Sequence, residues 1–176
     1  MGSLLRKLRE VFGTEPGHER QQGGALTVRP MTPRDLDAVE AIERASFGSP
    51  WRRQTYEQTI LVPGHNFFVA ELDGVVVGYF GFWVEGPQAH IAKLAVHQDY
   101  RRRGIGTTLL REALDRVRRL GLRKAYLEVR RSNLPAQNLY RRFGFRFARV
   151  KPHAYPNDGE DAFIFVRDDL LEPASQ

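Results

Sequence analysis

The sequence predicts an α/β fold, a mixed sheet of about seven strands flanked by about four helices. Three observations predict it. Short runs of strand character are interleaved with stretches whose apolar residues recur at helical spacing. Asp73-Gly74 separates two apolar runs, Phe67–Leu72 and Val75–Val84, and marks a hairpin. The run Gln88–His97 leads into a glycine-containing loop, a helical repeat and then another strand at Lys124–Arg130.

The elements follow in order. A short strand near Leu26–Arg29 opens the domain. Thr32-Pro33-Arg34-Asp35 carries helix-start signals: a threonine N-cap, proline at the first position and an acid at the third. Leu36, Val39, Ile42 and Phe47 form the apolar stripe of that helix, and Ser49-Pro50-Trp51 opens a second one. The hairpin follows, then a third strand after Glu85-Gly86-Pro87. In the helix around and past Gly106, Ile105, Leu109, Leu110, Leu114, Val117 and Leu120 are expected to face inward, with Arg111, Arg116, Arg118 and Arg119 outward and Gly121 as the stop. Ser132-Asn133-Leu134-Pro135 begins a short helix that Gly144 ends. Strands near Phe145–Lys151 and Ala162–Arg167 complete the chain, joined by Tyr155–Asp161. Residues 25–170 thus read as one domain. Residues 1–24 read as an N-terminal extension in which Leu4, Leu5, Leu8, Val11 and Phe12 share one helical face, and 171–176 as a tail.

Composition narrows the function. The 176 residues contain no cysteine, which excludes disulfides, thiolate catalysis and cysteine-held metal, and no metal site is expected. A reducing, cytoplasmic setting suits such a chain. No apolar run reaches the length of a membrane span. Charge is unevenly placed: residues 93–151 hold 17 Lys or Arg against 4 Asp or Glu, a net of +13. A field of that sign attracts a polyanion, either a phosphorylated cofactor or RNA.

That basic block contains Val-His-Gln-Asp-Tyr-Arg-Arg-Arg-Gly-Ile-Gly-Thr, residues 96–107. Gly104 and Gly106 let a ligand approach the backbone, and the free N–H groups of a helix start attract anions. A pyrophosphate fits there. A dinucleotide fingerprint needs a third small residue where Leu109 stands, and no P-loop Gly-Lys-Ser/Thr occurs. The lesser alternative on this segment alone is that the glycines only shape a tight turn and the arginines form a solvated surface.

The pattern Arg101-Arg-Arg-Gly-Ile-Gly106 has company elsewhere: Ala45-Ser-Phe-Gly-Ser-Pro-Trp51, Leu127-Glu-Val-Arg-Arg-Ser-Asn133, Leu139-Tyr-Arg-Arg-Phe-Gly-Phe145 and Tyr155-Pro-Asn-Asp-Gly-Glu-Asp-Ala162. On these segments, residues 26–168 resemble the GCN5-related N-acetyltransferase (GNAT) superfamily. Within it they resemble the ribosomal-protein-alanine (RimI-type) branch and its archaeal N-terminal acetyltransferase relatives. The resemblance implies the GNAT acyl-CoA N-acyltransferase fold and acetyl-CoA as co-substrate. It implies that Leu94, Ala95 and Val96 hold the pantetheine arm through backbone hydrogen bonds. Arg102, Arg103, Gly104, Ile105, Gly106 and Thr107 would wrap the pyrophosphate, and Asn133 would bond the amide-rich arm. It makes Glu128 the base for the attacking amine and Tyr140 the acid for the departing thiolate. On its own, Glu128 also reads as an ion-pair partner of Arg130 or a neighbouring arginine, and Tyr140 as a core aromatic. His90 is the alternative base. Two positions depart from the family pattern: Ala154 stands where relatives carry a second tyrosine, and Lys93 where they carry an uncharged polar residue.

The resemblance implies an acceptor that is the N-terminal α-amine of a protein, plausibly a ribosomal protein. An α-amine has a pKa near ~8 against ~10.4 for lysine, so more of it is free base at neutral pH. The alternatives are a GNAT enzyme for small-molecule amines or lysine side chains, and an inactive RNA- or ribosome-binding module. The presence of both Glu128 and Tyr140 favours an enzyme, and direct nucleic-acid binding is not expected. The turn Asp158–Asp161 is expected near the acceptor entrance, where its acids would attract a cationic peptide terminus.

Overall fold

A computed structural model describes residues 24–171. The sequence-based readings of 1–24 and 171–176 fall, apart from Gly24 and Leu171, outside those residues. The order of elements is the expected one. Strand β1 (Thr27–Pro30) is followed by helices α1 (Leu36–Ser46) and α2 (Arg53–Ile60). Strands β2 (Phe67–Leu72), β3 (Val75–Glu85) and β4 (Gln88–Val96) come next. Helix α3 (Ile105–Arg119), strand β5 (Lys124–Arg130), helix α4 (Leu134–Arg142), β6 (Arg146–Lys151) and β7 (Ala162–Arg167) complete the domain.

The seven strands form one sheet in the order β1-β2-β3-β4-β5-β7-β6. Only β4 and β5 run parallel, because α3 carries the chain across between them. Asp73 and Gly74 both adopt positive φ, 50° and 79°, as the tight turn between β2 and β3 requires. The helical stripe of α3 lies on one face of the sheet, where Ile105, Leu109, Leu110, Leu114 and Val117 pack with Phe80, Phe82, Leu127 and Phe165. Leu120, expected inward, is instead 54 % exposed, because the helix ends at Arg119 and Leu120 caps it beyond the sheet contact. On the other face, Leu36, Val39 and Ile42 of α1 and Tyr56 of α2 pack against Phe67, Val69 and Tyr79.

Two starts differ from the sequence reading. Pro33–Asp35 form a 3₁₀ turn before α1, in which Asp35 accepts from both the N–H and the hydroxyl of Thr32. Helix α2 begins at Arg53 rather than at Ser49-Pro50-Trp51. The reason is tertiary: the Trp51 N–H donates to the Glu43 carboxylate at 2.7 Å, which holds that residue outside the helix.

Strand β4 has an irregularity that shapes the site. Gly81 pairs with Lys93 but Phe82 with Ile91, so Ala92 is an extra residue, a β-bulge. The bulge reverses which face the following side chains meet. Ile91 packs on the α3 side, whereas Lys93 and Ala95 turn toward α1. At the same place β4 leaves β5, since their pairing covers only Gln88–Ile91 with Lys124–Leu127. Beyond it the two parallel strands splay apart.

Candidate functional site

The edge of β4 that faces the splay is built by strand alternation. The His97 N–H donates to Val77 at 2.8 Å, so the backbone groups of Ala95 and Lys93 also point to β3. Those of Leu94 and Val96 point the other way, toward the opening. The Val96 carbonyl there accepts from Arg101 Nε at 3.1 Å. Among the three residues expected to hold a ligand arm by backbone bonds, Leu94 and Val96 therefore present theirs. Ala95, 6 % exposed, offers its methyl to the α1 face.

The anion loop begins where β4 ends. Gly104 caps α3 at φ 77°, a left-handed conformation favouring glycine, and Arg102 is left-handed too at φ 62°. The first helical bond runs from Thr108 N–H to the Gly104 carbonyl. Among the described residues, the N–H groups of Ile105, Gly106 and Thr107 have no partner, and they sit at the positive end of the helix dipole. A Cβ on Gly106 would lie 3.8 Å from Leu139 and Val96, an ordinary contact, so packing does not demand glycine there. Its missing Cβ leaves the backbone of the helix start open to close approach. Arg101, Arg102 and Arg103 are exposed, while the Ile105 side chain is core and contributes only its backbone. Loop geometry, free donors and guanidinium groups together suit a pyrophosphate. A cavity of about 240 Å³ opens on the loop's flank, lined by Leu26, Leu72, Arg103, Gly104 and Thr108.

Asn133 caps α4: its side-chain oxygen accepts from Ala136 N–H at 3.2 Å, which leaves its amide N–H₂ free to donate. Tyr140 lies on the same helix, 9 % exposed, with its ring edge-on to Phe145. Its hydroxyl has no hydrogen bond among the described residues. Burial, helped by the nearby Tyr155, pushes its pKa up to about 12. It therefore remains a proton donor through the neutral range.

Glu128 occupies the face of β5 opposite α3, half-buried, beside Tyr126 and Arg130 on the same face. Arg130 is not its partner, contrary to the alternative reading. The Arg130 guanidinium bonds Asp158, Glu160 and Asn157 and stacks on Tyr155 at 3.8 Å. Glu128 instead receives Lys151 of β6 at 3.1 and 3.2 Å. His90 shares this face, but its ring stacks on Tyr126 at 4.4 Å and its Nδ1 lies 3.5 Å from Glu85.

The acids of the 158–161 turn are committed within the protein. Asp158 and Glu160 hold Arg130, and Asp161 accepts from His153 N–H. Hydrogen bonds from Ser132 and Arg130 bring the Glu160 pKa down to about 2. The neighbouring Asn157 reaches across to the α1–α2 turn, accepting from Ser49 Oγ at 3.0 Å.

Sequence reading missed Lys151, Asn157 and a buried cluster in which Glu43 meets Lys93, Tyr56 and Tyr79. One signal for Glu43 was present. It lies seven residues after Leu36 and four after Val39, on the apolar stripe of α1.

Known proteins carry the same architecture. Residues 36–145 match the family model described as "Acetyltransferase (GNAT) family". A Bacillus subtilis (strain 168) protein named "Putative ribosomal protein bS18-alanine N-acetyltransferase" is 38 % identical over 138 residues, covering 78 % of this chain and 91 % of that one. An N-alpha-acetyltransferase of Sulfurisphaera tokodaii is 33 % identical over 161 residues, covering 84 % and 96 %. The crystal structure of the ribosomal-protein-S18-alanine N-acetyltransferase from Escherichia coli superposes with a TM-score of 0.76 at 28 % identity, covering 86 % of this chain and 99 % of that one. With the splayed β4 and β5, the free amides at the start of α3 and a family match over most of the domain, the chain belongs to the acetyltransferase (GNAT) family.

Proposed function

We propose that the protein transfers an acetyl group from acetyl-CoA to the N-terminal α-amine of a protein, with a ribosomal protein as the acceptor and the cytoplasm as the setting. One observation carries the reading. A helix-capped anion loop opens directly off the unpaired edge of β4, and a half-buried carboxylate, Glu128, stands on the strand that diverges from that edge. The relatives named for alanine and α-amine acetylation support this choice of acceptor.

Acetyl-CoA is the co-substrate. Its pyrophosphate takes the free N–H groups of residues 105–107 with Arg102 and Arg103 beside them, and the Leu94 and Val96 backbone groups pair with the amide-rich arm. Asn133 adds its free amide. The Leu94 N–H polarises the thioester carbonyl. The acceptor nitrogen attacks that carbonyl, so a C–N bond forms and the C–S bond breaks. Glu128 takes the proton that the nitrogen loses, and Tyr140 gives its own to the leaving thiolate.

An array of peptides with free and blocked N-termini, incubated with acetyl-CoA, tests the acceptor. Label on the α-amine of free-N-terminus peptides is expected. Label only on lysine side chains or on small amines would replace this acceptor with the alternative one. The basic block between residues 93 and 151 does not favour an RNA-binding reading. Arg116, Arg118, Arg130, Arg131, Arg146 and Lys151 are all engaged by acids of the same protein.

A further inference from the structure

The transfer chemistry uses neither Glu43 nor Lys93, yet both are charged groups inside the protein, 0 % and 8 % exposed. Glu43 is saturated. One oxygen accepts from Lys93 Nζ at 2.5 Å and from Trp51 N–H at 2.7 Å. The other accepts from the Tyr56 hydroxyl at 2.8 Å and from the Tyr79 hydroxyl. The Lys93 ammonium also lies over two rings, 4.2 Å from the centre of Phe47 and 4.6 Å from that of Trp51.

Burying such a pair is seldom the route to greatest stability, because apolar residues of the same volume often do as well or better. What a cation supplies here is a clamp. It attracts two ring faces at once, and its counter-ion holds the backbone of the second ring's residue. The clamped turn, residues 47–52, is fastened at two further points. Ser46, just before it, receives Arg101 at 3.2 Å, and Ser49 within it bonds Asn157. The turn thus runs from the anion loop to the 152–161 loop. Lys93 itself lies one residue before Leu94, where the β4 edge is open, and faces the same side of the sheet as Glu128.

We infer that Lys93 is a specificity-determining residue for the acceptor. With Glu43 it locks Phe47 and Trp51 together as the wall that receives the first side chain of the acceptor chain, and it keeps that space small. The inference rests on the N-terminal acetyltransferase reading. With the clamp intact, a small first residue such as alanine is accepted over leucine. Without the cation the two rings can part, and the larger side chain gains.

The test is kcat/KM for two peptides that differ only in their first residue, alanine or leucine. The variants are Lys93→Gln, which keeps a donor for Glu43 but loses the charge, and the double variant Glu43→Gln/Lys93→Met, which strands no ion. Lys93→Arg retains the cation and serves as the conservative control. The leucine-to-alanine ratio is expected to rise tenfold or more in the first two, and to stay within about threefold of wild type in Lys93→Arg. A merely structural role would lower both peptides together and leave the ratio fixed. An unchanged ratio in either charge-removing variant that retains its circular dichroism spectrum overturns the inference. A wild-type protein that acetylates neither peptide overturns the acceptor reading and this inference with it, so the two failures are told apart.

Discussion

Lys151 Nζ donates to both carboxylate oxygens of Glu128, at 3.1 and 3.2 Å, so under the proposed mechanism an incoming acceptor amine would have to displace this ammonium to reach the carboxylate. Lys151 is about half exposed. Exposed ion pairs are worth about 0–1 kcal/mol, so an incoming amine can displace it at small cost. Lys151→Met should lower KM for an N-terminal peptide by up to about fivefold, with a smaller change in kcat. Steady-state kinetics over a peptide titration checks this.

Gly104 holds a left-handed conformation and nothing in the protein crowds it. Gly104→Val should therefore act in two separable ways. Forcing a side chain into that conformation costs roughly 1–2 kcal/mol, visible as a lower Tm. The added side chain also stands against the anion, so calorimetry should show acetyl-CoA binding weakened at least tenfold in protein that remains folded.

Tyr140→Phe keeps the ring packed against Phe145 and removes only the hydroxyl. Stability and acetyl-CoA affinity should change little, while turnover falls by about 10²-fold or more if the acid is needed in the limiting step. The Tyr140 pKa is raised to about 12, so the neutral donor form persists well beyond the usual tyrosine range. The wild-type alkaline limb assigned to this group should accordingly lie above pH 10. A pH–rate profile compared between the two proteins reads it directly.

Glu160 ties the 152–161 loop to the end of β5 through Ser132 and Arg130. Its folded pKa, about 2, is below the ordinary value of 4.5. The tether is therefore fully present above pH 4.5 and is lost as pH falls toward 2. Amide hydrogen exchange at Ser132 should accelerate, after correction for intrinsic rates, across that window in wild type. In Glu160→Gln the corrected rate should be high and flat.

Glu43 anchors a different part of the same face. Glu43→Ala leaves the Lys93 ammonium buried without its counter-ion, which costs about 3–5 kcal/mol. Urea denaturation should show a loss of that size, and Lys93→Met added to it should recover part of the loss.

Much of the architecture was legible because the local signals agreed with the final fold. The Asp73-Gly74 turn, β5 and β7 lie where residue patterns put them, and the helical stripe of α3 packs as its spacing predicts except for Leu120, which falls past the helix end. The start of α2 was not legible, since it depends on a bond between Trp51 and a carboxylate eight residues away. The bulge at Ala92 was hidden for another reason. Burial alternates without a break from Gln88 to Val96, because both faces of β4 are covered. Nothing in the pattern reveals that Lys93 and Ile91 face opposite ways. In the site, the anion loop announced itself by composition, while the partner of Glu128 did not. Arg130, two residues away, was the nearer choice in sequence, but strands β6 and β7 bring Lys151 to Glu128 and the acidic loop to Arg130.

The proposal that this GNAT protein acetylates an α-amine with Glu128 as the base is tested by the pH–rate profile of Glu128→Gln with a saturating N-terminal peptide and acetyl-CoA. The substitution keeps the shape of the side chain and removes its capacity to take a proton. Turnover should fall by about 10²–10⁴-fold near pH 7 and recover partly at high pH, where the amine arrives already deprotonated. Wild-type turnover by Glu128→Gln at pH 7, with the chemical step limiting, would rule Glu128 out as the base.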